Sequence, residues 1–274
     1  MELQGIIDMH IHAFPDVRER SIDDIGLVRE AQRLGVRAVV IKSHWVPTMD
    51  RAWLMHKLYP DVAVFGGITL NPSVGGINPD AVKTAIKLGA KIVWLPTLFS
   101  ERQRTVEGKA DGVRTVINGK VVPELNEVLK LIAQENIILG TGHLTPQEIF
   151  IVVDAACKAG VRKILVNHPE HYLVNLSIKD QKTLAADYNV YFERCYAQPL
   201  GGGKYKTNFA VNLEAIKAVG YESTVIATDG GQVENPPWSE ALRTYLNYLV
   251  THGVSKEAIA VMTYENPARL LDLA

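Results

Sequence analysis

Two histidines one residue apart, His10 and His12, close the run Ile6-Ile7-Asp8-Met9-His10-Ile11-His12. Residues i and i+2 of a strand face the same side, so this pair can offer two imidazole nitrogens to one cation. Two solvent-facing histidines on an edge strand would have the same spacing. Three other segments narrow that choice: Thr141-Gly142-His143, Asn167-His168-Pro169 and Thr228-Asp229-Gly230-Gly231 each end an apolar run in a metal-ligand residue type. Three histidines and an aspartate are a familiar first shell for zinc or a similar divalent ion. Such an ion lowers the pKa of its water toward roughly 7 and polarises a carbonyl oxygen. Asp229 would then serve as ligand and general base, while His168 would be either a ligand or a polarising group for the developing oxyanion.

Residues so far apart in the chain need a scaffold that returns them to one place. Eight short apolar runs recur with helix-like segments between them: 5–9, 38–41, 63–68, 91–95, 137–140, 163–166, 190–192 and 224–227. That βαβα rhythm predicts a single (β/α)8 barrel, in which catalytic residues sit at the C-terminal strand ends. Helix, glycine, strand is the recurring punctuation, as at 22–34 with Gly35 and 145–159 with Gly160. One excursion, 99–122, interrupts it after the fourth strand, and its Asn118-Gly119 between apolar residues predicts a β-hairpin. The hairpin is expected to be either a lid over the barrel mouth or a subunit contact. No linker composition appears, so residues 1–274 are expected to form one domain, and the stretch 265–273 to form a closing helix.

Charge and composition bound the partners. Lys plus Arg is 29 against 30 for Asp plus Glu, a formal net charge of −1. With no basic block, nucleic acid is not an expected partner. No apolar run reaches the roughly 20 residues of a membrane span, and the N-terminal residues lack a secretory pattern, so a cytoplasmic protein is expected. Cys157 and Cys195 lack metal-site or framework spacing and are expected to be core residues.

The residues His10-x-His12, His143, Asn167-His168-Pro169 and Asp229, with the closing Glu265-Asn266-Pro-Ala-Arg269-Leu-Leu271, resemble the amidohydrolase superfamily over nearly the whole chain. The resemblance is to its compact metal-dependent hydrolases and decarboxylases. It implies a divalent metal, commonly zinc, on His10, His12, His143 and Asp229, with His168 beside the activated water; in members with two metals, His143 and His168 hold the second. The bridging lysine or glutamate of those members falls at the end of the fourth strand, where this chain has Trp94-Leu-Pro96-Thr97 and its only lysine, Lys91, at the start. One ion is therefore expected. Lys42 and His44, on one parity after the second strand, are expected either to supply a second-metal ligand or to contact substrate or solvent.

Substrate contacts are expected from Arg18 and from the seventh-strand run Glu193-Arg194-Cys195, in which alternation turns either Glu193 and Cys195, or Arg194, inward. Gly201-Gly-Gly203-Lys204-Tyr205-Lys206 reads as a mobile loop or a phosphate-binding one. The expected activity is hydrolysis of a C–N or C–O carbonyl-type bond in a small molecule. Single-metal non-oxidative decarboxylation or hydration of a small carboxylic acid is the alternative. Phosphoesterase activity and a non-catalytic metal-binding barrel are weaker ones, and a homo-oligomer is in keeping with the barrel's size.

Overall fold

The computed structural model describes residues 1–273. In chain order the strands are β1 (Ile7–His12), β2 (Ala38–Lys42), β3 (Ala63–Thr69), β4 (Ile92–Trp94), β5 (Val116–Ile117), β6 (Lys120–Val121), β7 (Ile138–Gly140), β8 (Ile164–Asn167), β9 (Tyr191–Cys195), β10 (Ala197–Gly201), β11 (Lys204–Thr207) and β12 (Thr224–Ala227). Eight of them make one sheet in the order β1-β2-β3-β4-β7-β8-β9-β12. A parallel bridge between Ile11 and Gly230, just past β12, returns the last strand to the first. With helices between successive strands, this is the (β/α)8 topology.

Packing divides the chain into two compact units. The first contains Met1–Ser43, Thr48–Gly66 and the chain from Arg194. Its core gathers Ile11, Leu27, Val39, Ile41, Ile226, Leu242, Tyr245 and Met262, all buried. Helix α1 (Asp24–Arg33) starts at Asp23, whose side chain accepts from the Gly26 N–H, and helix α2 (Met49–Leu58) is tied to it by the Arg51–Asp24 ion pair at 2.7 Å. In the second unit, His44–Pro47 with Gly67–Glu193, the helix 146–159 carries a complete capping box between Thr145 and Glu148. Here β4 places Trp94 between two glycines of its flanking strands: a Cβ at Gly67 would lie 2.7 Å from the indole and one at Gly140 2.5 Å. Trp94 is thus a core residue that two neighbouring glycines make room for.

Several boundaries shift from the sequence expectation. The first strand runs to His12 rather than stopping at Met9, so both histidines lie inside it, and the register against β2 slips between Asp8 and Ile11. A bulge there re-aims side chains within an otherwise regular strand. The expected hairpin after β4 is present as β5–β6, turning at Asn118-Gly119. The glycine-rich stretch is a hairpin rather than a loop: β10 and β11 pair antiparallel and turn at Gly202-Gly203, both at positive φ. The closing helix, Asn266–Leu271, is preceded by a π-helical turn, Val261–Glu265.

Candidate metal centre

In the first unit three strands bring four ionisable groups together. His10 and His12 on β1 are buried, and their Nε2 atoms lie 3.3 Å apart. Asp229, two residues past β12, places Oδ1 at 3.1 Å from His10 Nε2 and 3.2 Å from His12 Nε2. The three atoms form a nearly equilateral triangle. A tetrahedral ion at about 2.0–2.1 Å from each ligand would require edges of about 3.3 Å, so the donor set fits a zinc-like cation by type and spacing. Lys42, at the end of β2 and fully buried, adds its Nζ 3.0 Å from His10 Nε2. It is therefore not in solvent.

A single buried acid that the sequence reading passed over holds the β12 turn against β1. Asp8 accepts from the His10 and Thr228 N–H groups at 3.1 and 3.2 Å, from Thr228 Oγ1 at 2.6 Å and from Trp238 Nε1 at 2.9 Å. Burial pushes its carboxyl up, against the pull of these hydrogen bonds. Asp8 shares parity with His10 and His12, the one signal that could have marked it. Asp229 itself adopts a left-handed backbone (φ 51) between Thr228 and two glycines. Such a conformation is strained in a non-glycine residue and persists where its surroundings over-determine it.

Protonation follows from the partners. Arg20 donates from Nη2 toward His12 Nδ1 at 3.3 Å and is itself held by Asp16 and Gln232. A guanidinium only donates, so the metal-free ring carries its proton on Nε2, facing Asp229. Burial and the Arg20 charge keep His12 well below the usual imidazole range. Burial pushes Asp229 up, but the charge of His10 and the hydrogen bonds of both imidazoles outweigh it and hold the carboxyl well below its usual range. A cation on His12 Nε2 moves that proton to Nδ1 without releasing it, so protons compete with the cation only on acidification, where affinity falls. The sign for stability is the same: below about pH 6.5 the unfolded ring binds a proton that the folded ring refuses, which lowers stability by up to about 1.4 kcal/mol per pH unit. Thermal melts of chelator-treated protein should fall on acidification through this window, and His12→Gln should flatten the slope; equal slopes for both proteins would refute the assignment.

The second unit carries an imidazole cluster. His143, past β7, and His168, past β8, have ring centroids 5.5 Å apart, and His171 stacks on His143 at 5.8 Å with an interplanar angle of 16°. Gln103 Oε1 lies 2.8 Å from His143 Nδ1, while its amide nitrogen donates to Glu107 at 3.0 Å. An amide oxygen only accepts, so His143 is protonated at Nδ1 and, as a neutral ring, keeps its lone pair on Nε2, as a metal-ligating or proton-accepting histidine must. Leu173 N–H donates to His171 Nδ1 at 3.2 Å, giving that neutral ring the opposite tautomer. His44 pairs through Nδ1 with Thr97 Oγ1 at 2.8 Å, and Asn71 braces Thr97 from both ends of its amide. Asn167 orients the turns by accepting from Gly142 N–H at 3.0 Å and donating to Glu193 at 2.8 Å. It thereby bridges the turn past β7 to β9.

The seventh-strand alternation resolves in favour of Glu193 and Cys195. Glu193 meets Asn167, and Cys195 Sγ lies 3.8 Å from His10 Nδ1, whereas Arg194 is buried on the other face with Nε toward Thr224 at 3.3 Å. Thr224 begins β12, so the Arg194 side chain reaches the N-terminal residue of that strand. Arg18 is half-exposed and paired with Glu234. Cys157 is exposed rather than a core residue.

The structure resembles solved enzymes along nearly its whole length. An amidohydrolase from Pseudomonas aeruginosa superposes with a TM-score of 0.67 at 14% identity, covering 98% of this chain and 95% of that one. The 2,6-dihydroxybenzoate decarboxylase from Rhizobium gives 0.61 at 12%, covering 98% and 99%. An amidohydrolase from Burkholderia multivorans with bound zinc gives 0.61 at 11%, covering 98% and 99%. At such identities the likeness establishes the amidohydrolase-type fold and leaves the reaction open. No curated protein matches the sequence. Residues 5–193 match the family described as "Family of unknown function (DUF6282)", and the chain belongs to that family.

Proposed function

We propose that this protein is a metal-dependent hydrolase that cleaves a C–N or C–O carbonyl-type bond in a small molecule. The observation that carries the reading is the triangle of His10 Nε2, His12 Nε2 and Asp229 Oδ1, with edges of 3.1 to 3.3 Å, built on the ends of two neighbouring strands. A divalent ion held there, zinc by the chemistry of the donors, would acidify water and polarise a carbonyl. The residues of the chain do the rest. Ionised Asp229 orients the attacking water and takes its proton on a carboxylate oxygen, then returns it to the leaving group. We assign His143 Nε2 a lone-pair role, as ligand or proton acceptor, and His168 the polarisation of the substrate carbonyl. Glu193, fixed by Asn167, is assigned to substrate orientation.

A second reading is favoured by one feature. Lys42 is a buried amine beside His10, and protonated there it would suit a substrate carboxylate. Non-oxidative decarboxylation of a small carboxylic acid would use that charge, and one solved enzyme of like fold is a decarboxylase by name. Elemental analysis of purified protein should find about one equivalent of a divalent metal, and chelation should remove both metal and activity, with zinc or manganese restoring both. A panel of amides, lactones and aromatic carboxylic acids then separates the two reactions, because carbon dioxide release without water consumption marks the decarboxylase. Protein that holds no divalent metal under any loading condition would end both readings.

A further inference from the structure

Helix α2 is apolar on two sides. Its inner side buries Met49, Ala52 and Met55. Its outer side carries Trp53, Leu54 and Leu58, which are 60%, 52% and 63% exposed. A surface helix ordinarily presents one apolar stripe and a polar opposite face, and a contiguous exposed cluster of this kind marks a contact surface. The charges around it are arranged with a direction. Asp50 is exposed one turn before Trp53 and Leu54, and Lys57 is exposed one turn after them, so the outer stripe reads acid, aromatic, leucine, base over about 10 Å. The Lys57 Nζ lies 5.5 Å from the Trp53 ring centroid, extending along the apolar face rather than away from it.

This stripe is complementary to itself when turned end for end. Two copies of α2 crossing antiparallel about a two-fold axis at Trp53 and Leu54 would set Asp50 of each against Lys57 of the other and cover the leucines between them. An isologous contact of that kind needs the same patch on both subunits and nothing else. Helix-dipole preference accounts for an acid at the start and a base at the end, but not for the exposed Trp53 and Leu54 between them or Leu58 just beyond. We propose that α2 is the centre of a homodimer interface, with a second copy of this chain as its occupant and Trp53 as the anchor. The inference is independent of the catalytic reading, since none of these residues belongs to either imidazole array.

Sedimentation velocity over a concentration series up to about 100 μM should show a reversible dimer of the wild-type chain. Trp53→Glu should raise the dimer dissociation constant at least about 30-fold, the effect of losing a central aromatic anchor. Asp50→Lys and Lys57→Asp should each weaken the dimer by setting like charges opposite one another, and the double exchange should recover most of the loss. Thermal melts of each variant at monomeric dilution verify that the fold is intact. A chain that stays monomeric throughout, a dimer indifferent to Trp53→Glu, or a double exchange weaker than both single ones would overturn the proposal.

Discussion

Asp229→Asn should cost this protein about a thousand-fold or more in turnover and most of its bound metal. The substitution keeps the size of the side chain, so what it removes is charge. In the native site the carboxylate Oδ1 stands 3.1 and 3.2 Å from two imidazole nitrogens, and the His10 and His12 contacts hold it ionised despite burial. An amide oxygen offers the cation a weaker ligand, and it takes no proton from water; loss of a general base alone is worth about 10² to 10⁴ in rate. Metal stoichiometry after dialysis and kcat at saturating metal separate the two contributions. A variant that binds metal and turns over as well as the parent would remove Asp229 from the centre and with it the mechanism proposed above.

The second large effect is expected at a residue with no side chain. Gly231 sits at φ 82, and a Cβ there would fall 1.6 Å from the carbonyl oxygen of His12. That oxygen belongs to the strand that aims both histidines, and the adjoining Gly230 O accepts from His12 N–H at 2.9 Å, so the turn cannot retreat without breaking the pairing. Gly231→Ala should therefore cost about 4 kcal/mol, combining left-handed strain with a backbone collision. Gly119→Ala is the fitting comparison. Its φ is 74, but no atom lies within 4 Å of the added carbon, so only the conformational cost of about 1 kcal/mol applies. Urea denaturation of both variants gives the difference, and equal losses would mean that the β12 turn is looser than its geometry indicates.

How much of the site was legible in the sequence depends on the range of the interaction. His10, His12 and Asp229 stood out because period-two spacing and strand-end placement are local properties, and their convergence follows once eight strands close in order. The role of Asp8 was invisible because three of its four hydrogen bonds reach Thr228 and Trp238, some 220 residues and more along the chain. Gln103, 40 residues before the His143 whose tautomer it fixes, escaped for the same reason, whereas Arg20, only 8 residues after His12, meets it from a loop whose path spacing does not give.

From its sequence alone the chain specified the α/β alternation, the eight-strand count, the Asn118-Gly119 hairpin and the ligand residue types, because apolar periodicity, glycine punctuation and turn chemistry each act over a few residues. Tertiary structure alone decided the rest. It chose Glu193 and Cys195 over Arg194, brought Lys42 to His10 while sending His44 to Thr97, and turned the triglycine stretch into a second hairpin. Those outcomes turn on a one-residue register slip in β1, on which face of a fully buried strand meets which neighbour, and on the direction of each donor. Such choices are set by packing between distant segments, where alternatives of equal local propensity differ by whether every buried polar group finds its partner.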